Sequence, residues 1–227
     1  MLAVAGAGHQ VMQVRQLLGI QRRVEAHRFR TIDRFMPERD IRERAEAVVR
    51  APAELVFEVA RSMDVQSIPL VHAIFWARSK LLRATAPPRE PKGIVEETLG
   101  LGWGVLSERP GREIVMGAFT RPWEANVVFT ALPPDRFAAF ADPGVVKIAW
   151  TIEAEPVGAA RTRIATETRA VATDDDARRR FRRYWRRFGA GAVLIRWLIL
   201  ARVRHEAERR HRATSTGPVE GRGGVDQ

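Results

Sequence analysis

Residues 178–212, "RRRFRRYWRRFGAGAVLIRWLILARVRHEAERRHR", constrain the fold of this chain more than any other stretch. Placed on a helix at about 100° per residue, Phe181, Tyr184, Trp185, Phe188, Ala192, Ile195, Ile199 and Val203 fall within about 50° of one line. Arg179, Arg180, Arg182, Arg183, Arg186 and Arg187 fall on the opposite side. A long helix with one apolar stripe and a charged back must lay that stripe on a broad apolar surface, which the rest of the chain has to supply. The arginines are then first the solvated back of that helix.

The second half of the same stretch is apolar on more sides. Val193, Leu194, Trp197, Leu198 and Leu200 occupy the face that the arginines hold earlier. A straight helix would expose them as a patch headed by Trp197, and such patches mark a partner. Three partners suit it: the N-terminal segment through Val11, Val14, Leu17 and Leu18, a second copy forming a homodimer, or a membrane surface whose anionic headgroups meet the arginines. The last two would use Val193, Trp197 and Leu200. A kink at Gly189–Gly191 would rotate this half relative to the first.

Charge does not point elsewhere. The chain of 227 residues carries a net charge of +11, with three lysines among 38 basic residues. The central body, residues 41–173, is close to neutral, and the basicity lies at the two ends. A phosphate reader more often mixes lysine with arginine, so nucleic acid is a disfavoured partner. With no cysteine there is no disulfide or zinc-thiolate chemistry, which fits a cytoplasmic chain. The apolar run from Gly189 to Ala201 is shorter than the ~18–20 residues of a spanning helix and contains Arg196. "MLAVAGAGHQVM" lacks a positive start and reads as a tail, not a signal peptide. The membrane periphery is the alternative location.

The remaining periodicities predict an α+β chain. "IRERAEAVV" alternates as a half-buried strand. "APAELVFEVARSMD" follows as a helix, with Pro52 at its start and Leu55, Val56, Val59 and Ala60 as its stripe. A second helix is expected from Pro69 through "LVHAIFWARSKLL", then a loop in "ATAPPREPKG". "WGVLSERPGREIVMGAF" predicts a hairpin around Pro110-Gly111, "RPWEANVVFTAL" another strand, and residues 144–173 a second hairpin turning near Pro156–Ala160. Asp174, Asp175 and Asp176 open the terminal helix. Residues 1–38 are expected as a partly helical or disordered extension, 39–212 as the folded domain and 213–227 as a disordered tail.

These strings in this order resemble the START/Bet v1-like superfamily, also called SRPBCC or polyketide cyclase/lipid transport-like. The resemblance spans roughly Ile41 to Arg210 and rests on "VVRAPAELVFEV", "PGREIVMGAF..RPW", "VKIAWTIEAEPVG", "TRIATETRAVATD" and the terminal helix itself, the last two closest to bacterial members. It implies a helix-grip fold: a curved antiparallel sheet wrapped around a long C-terminal helix, with an apolar cavity between them. It implies a hydrophobic small molecule or lipid as ligand, bound without cofactor and reached near the second helix. A cyclase or hydrolase acting on such a molecule is the alternative, as is a membrane-surface protein. Two features depart from the family pattern: "GAGA" stands where proline is common, and the N-terminal extension has no counterpart.

Within that frame the aromatic residues His72, Trp76, Trp103, Phe119, Trp123, Trp150, Tyr184, Trp185 and Phe188 are the candidates for a pocket wall. Large rings with one polar edge suit an apolar ligand with a polar end; filling a solid core is their alternative use. Glu167 and Arg169, two apart on a strand, share a face and could hold a polar head group, or form an ion pair at the sheet surface. Glu113 and Arg121 carry the same two readings. His72 shares a helix face with Trp76 and could act as a base, though a structural role suits it better. No pair of histidines has metal-ligand spacing, and no HExxH, GxSxG or P-loop occurs. No catalytic residue is singled out, and neither a metal nor another cofactor is expected.

Overall fold

The computed structural model describes residues 30–83 and 92–215. Its elements run α1 (Thr31–Phe35), β1 (Ile41–Val49), α2 (Ala53–Arg61), a 3-10 turn (Val65–Ser67), α3 (Pro69–Leu82), α4 (Ile94–Gly100), β2 (Gly104–Arg109), β3 (Glu113–Thr120), β4 (Phe129–Thr130), α5 (Pro134–Phe137), β5 (Val146–Gly158), β6 (Arg161–Ala172) and α6 (Asp175–Ser215). The strands form one antiparallel sheet in the order β1-β6-β5-β3-β2, with β4 paired to β3. One face of the sheet carries α2 and the length of α6. This is the α+β helix-grip arrangement that the sequence predicts.

Local chemistry sets the corners. Gly111 turns the β2–β3 hairpin at φ 69°, a left-handed conformation that glycine adopts without strain, and Arg112 N donates to Arg109 O at 2.9 Å. α6 opens on Asp174, whose Oδ1 accepts from Ala177 N at 2.8 Å, with Asp175 and Asp176 in the positive first turn. Asp174 also accepts from Gly144 N, tying the helix start to the loop before β5.

Side chains alternate between two faces of the sheet. On the inner face Ile114, Met116, Ile152, Ala154 and Ile164 pack with Val56, Phe57 and Val59 of α2 and with Leu200, Val203 and Ala207 of α6. On the outer face Ile32, Phe35 and Met36 pack with Leu106, Val115, Phe137 and Ala149. Residues 30–36, placed by the sequence in the N-terminal extension, thus cover the back of the sheet. β5 and β6 are buried on both sides, and their outward residues include charges that a one-sided sheet would leave in water.

Three sequence readings change. "RPWEANVVFTAL" contributes only the two residues of β4, since the stretch from Arg121 to Val128 carries turns instead. α4 has no counterpart among the expected elements. α6 runs unbroken through Gly189 and Gly191 and on to Ser215, so the glycines serve close packing here and not a break. A Cβ on Gly191 would meet Ile74 Cγ2 at 3.2 Å, which places the α3 contact at that glycine. The proposed helix through Val11, Val14, Leu17 and Leu18 lies outside the described residues.

Candidate functional site

Between the inner face of the sheet and α6 lies a cavity of about 490 Å³. The sheet supplies Ile148, Trp150, Ile152, Thr166, Thr168 and Ala170 as its floor, and α3, α4 and the loop before β4 close its side with Ile74, Phe75, Arg78, Ile94, Leu101, Trp103, Pro122 and Phe129. α6 lays over it Phe181, Tyr184, Trp185, Phe188, Ala192, Ile195, Ile199 and Val203, all eight residues of the stripe read from the helical period. Phe181, Tyr184, Trp185 and Phe188 also touch one another, with Tyr184 and Phe188 centroids 5.0 Å apart. Phe75 and Leu101 line the cavity and are exposed to solvent, so it opens between α3 and the end of α4.

Few polar groups interrupt this wall. Gln66 donates to Glu97 on the α4 side, and Thr98 donates its hydroxyl to Ile94 O at 2.6 Å. Arg78 donates to the Tyr184 hydroxyl at 3.3 Å and to Pro122 O at 3.4 Å. Arg196 reaches in from α6, and its Nη2 donates to Thr168 Oγ1 at 2.6 Å. Burial lowers the Arg196 guanidinium from its ordinary value, opposed by the charges of Glu43 and Glu167; a guanidinium stays protonated in a protein. Sequence reasoning passed over Arg78 and Arg196. Arg196 read there as a blemish in an apolar run, although a charge on the border of an apolar helix stripe is itself a signal.

The structure places Trp103, Trp150, Tyr184, Trp185 and Phe188 together on the cavity wall. Four other candidates lie elsewhere. His72 and Trp76 project from the outer side of α3, Trp76 with 60% of its surface in water. Only the α3 face carrying Ile74, Phe75 and Arg78 meets the cavity. Phe119 points to the outer face of the sheet, where it stacks on Phe140 at 4.6 Å. Trp123 packs beside Val146, Ala170 and Phe181 at the end of the sheet, outside the cavity lining.

The four head-group candidates are all away from the cavity. Strand alternation puts Glu113, Glu167 and Arg169 on the outer face beneath α1. Glu167 is 0% exposed and accepts from Arg169 at 2.7 Å, Arg42 at 2.8 Å, Arg30 at 3.2 Å and Arg44 at 3.3 Å. Burial alone would raise its carboxyl; the hydrogen bonds and charges of Arg42 and Arg169 outweigh that and bring it down to about 2. Arg169 also donates to Met36 O at 2.7 Å and pairs with Asp33 at 2.7 Å. Thr31 donates to Glu113 at 2.7 Å. The cluster holds α1 on the sheet. Arg121 lies at the surface, donating to Gly144 O at 3.1 Å and pairing with Glu124.

Of the helix back, Arg178, Arg179 and Arg180 pair with Asp40, Asp175 and Asp176. Arg182, Arg183, Arg186 and Arg187 are exposed. Trp197 is 54% exposed, whereas Leu200 is only 3% exposed because it turns into the core; of the three residues expected as a partner surface, Leu200 is therefore not available. Trp197, Ala201, Arg204 and His205 border a shallow groove with Ala47 of the edge strand β1. No helix among the described residues is long and apolar enough to cross a membrane, and no three His, Asp or Glu among them gather as a metal site would need.

No family model matches the chain, and no curated protein does. Solved structures do resemble it at low identity. A conserved protein from Geobacillus kaustophilus is 14% identical with a TM-score of 0.37, covering 75% of this chain and 97% of that one. The Zhui aromatase/cyclase from Streptomyces sp. R1128 is 19% identical with a TM-score of 0.27, covering 79% and 99%. The di-domain aromatase/cyclase BexL from the BE-7585A biosynthetic pathway is 17% identical with a TM-score of 0.25, covering 78% of this chain and 48% of that one.

Proposed function

We propose that this chain binds, and carries or sequesters, a hydrophobic small molecule or lipid in the cavity between its sheet and α6. The observation that carries this is the wall itself: about 490 Å³ faced almost wholly by aliphatic and aromatic side chains. A cavity of that size lined by apolar groups favours an apolar guest, since empty apolar space forfeits dispersion contacts that such a guest restores. Trp103, Trp150, Tyr184, Trp185 and Phe188 present ring faces and edges, which suits a ligand with flat or cyclic parts. Native mass spectrometry of the protein purified from its own host tests the reading. An apolar molecule bound to the folded chain and released by organic solvent supports it; a ligand-free chain that also takes up no apolar probe would refute it.

A second reading concerns where the ligand is exchanged. Leu70, Trp76 and Leu81 are exposed on α3 beside the cavity mouth, and Arg182, Arg183, Arg186 and Arg187 are exposed on the neighbouring helix. Exposed apolar side chains together with exposed cations suit the headgroup layer of an anionic membrane. Flotation with anionic but not neutral liposomes, lost in Trp76→Glu, tests it.

A further inference from the structure

Arg196 stands out among the groups at the cavity wall. Ile195 before it, and Ile199 and Leu200 one turn later on α6, are apolar residues of the same wall. A guanidinium offers five N–H donors. Here one nitrogen donates to Thr168 Oγ1 at 2.6 Å, and no carboxylate among the described residues forms an ion pair with it. Glu43 lies on the inner face of β1, in register opposite Thr168; its charge acts on Arg196, but the two form no ion pair. Glu167 lies behind the sheet and is committed to Arg30, Arg42, Arg44 and Arg169. Thr166, on the same strand and face as Thr168, also lines the cavity.

A half-buried cation on an apolar wall, with one hydrogen bond and no ion pair among the described residues, is costly unless something completes its shell. We propose that Arg196, with Thr166 and Thr168, forms an anion subsite in the cavity, and that the ligand is an apolar molecule bearing a carboxylate. The planar fork of the guanidinium matches the two oxygens of a carboxylate, and an apolar wall makes such a charge-assisted bond stronger than it is in water. The polarity of the cavity is consistent with this. Glu97, held by Gln66, lines the α4 side and would repel the same group, whereas Glu43, on the β1 side, is outside the lining. Arg78 is the competing cation, but it is engaged by Tyr184 and Pro122.

This subsite rests on the ligand-binding reading above, and a matched pair of probes separates the two. 9-Anthracenecarboxylate and 9-anthracenemethanol have the same apolar body and differ in charge at pH 7. Fluorescence titration of the full chain is expected to show the carboxylate binding about tenfold or more tighter than the alcohol, the advantage expected of a hydrogen bond to a charged group in a dry site. Arg196→Gln is expected to abolish that preference while the alcohol keeps its affinity, and Arg196→Lys to retain part of it. Retained alcohol binding shows that the variants fold. Equal binding of both probes to the native chain, or a preference that survives Arg196→Gln but not Arg78→Gln, overturns the subsite and leaves the cavity reading intact. Failure of both probes to bind overturns both.

Discussion

The Trp185 indole lies directly against Gly189, one turn later on α6: a Cβ at position 189 would stand 2.8 Å from both Cε2 and Nε1 of the ring. The glycine is therefore a seat for a wall residue of the cavity. Gly189→Ala gains about 1 kcal/mol of helix propensity, but the displaced ring costs about 1–3 kcal/mol of packing. We expect a small net loss of stability in urea denaturation together with a changed near-UV circular dichroism signal. Unchanged tryptophan dichroism would show that the ring is not held there.

Glu167 makes the back of the sheet sensitive to acid. Its folded-state carboxyl lies at about 2, below the ordinary value near 4.5, so the unfolded chain binds the proton first as pH falls. The stabilisation is fully present above about pH 4.5 and is lost between there and about pH 2, amounting to roughly 3 kcal/mol for this group. Glu167→Gln removes the shared carboxylate of Arg30, Arg42, Arg44 and Arg169 and leaves Arg169 with Asp33, which should cost about 3 kcal/mol at pH 7. Its stability should then vary less with pH across that window than the native protein's. Thermal melts at several pH values check both statements.

His72 and Trp76 face water from the outer side of α3. His72→Ala should leave stability within about 0.5 kcal/mol of the native value and probe binding unchanged. A large loss of binding in calorimetric titration would place His72 in the site after all.

The terminal helix was legible because a 3.6-residue period depends only on spacing, and all eight residues of its stripe reach the cavity. Which face of a strand points inward was not legible in β6. Its sequence alternates Ile164, Thr166, Thr168 and Ala170 against Ala165, Glu167, Arg169 and Val171, and neither set is plainly the apolar one. The reason is physical: the outer set is also buried, under α1, so both faces carry residues suited to an interior. The segment that buries it comes from residues 30–36, far away in the chain, and local pattern cannot report a distant cover. α3 misled for a related cause. Phe75 and Trp76 are adjacent and similar in kind, and only the α6 contact at Gly191 decides which of them turns inward. Arg78 gave no signal as a cavity residue because a single arginine within an apolar run has the same appearance whether it reaches water or lines a pocket; Arg196 was marked only by its place on the border of the stripe.

Ala192 lies on the cavity wall midway along the stripe, and Ala192→Trp would fill the space with a ring while leaving the sheet and the outer clusters untouched. Titration of the native chain and of this variant with the neutral probe 9-anthracenemethanol, followed by fluorescence, measures the central claim directly. The account predicts saturable binding to the native chain, weakened at least about tenfold in the variant, with thermal stability preserved because a void has been filled. No saturable binding to the native chain, or equal binding to both, would contradict it.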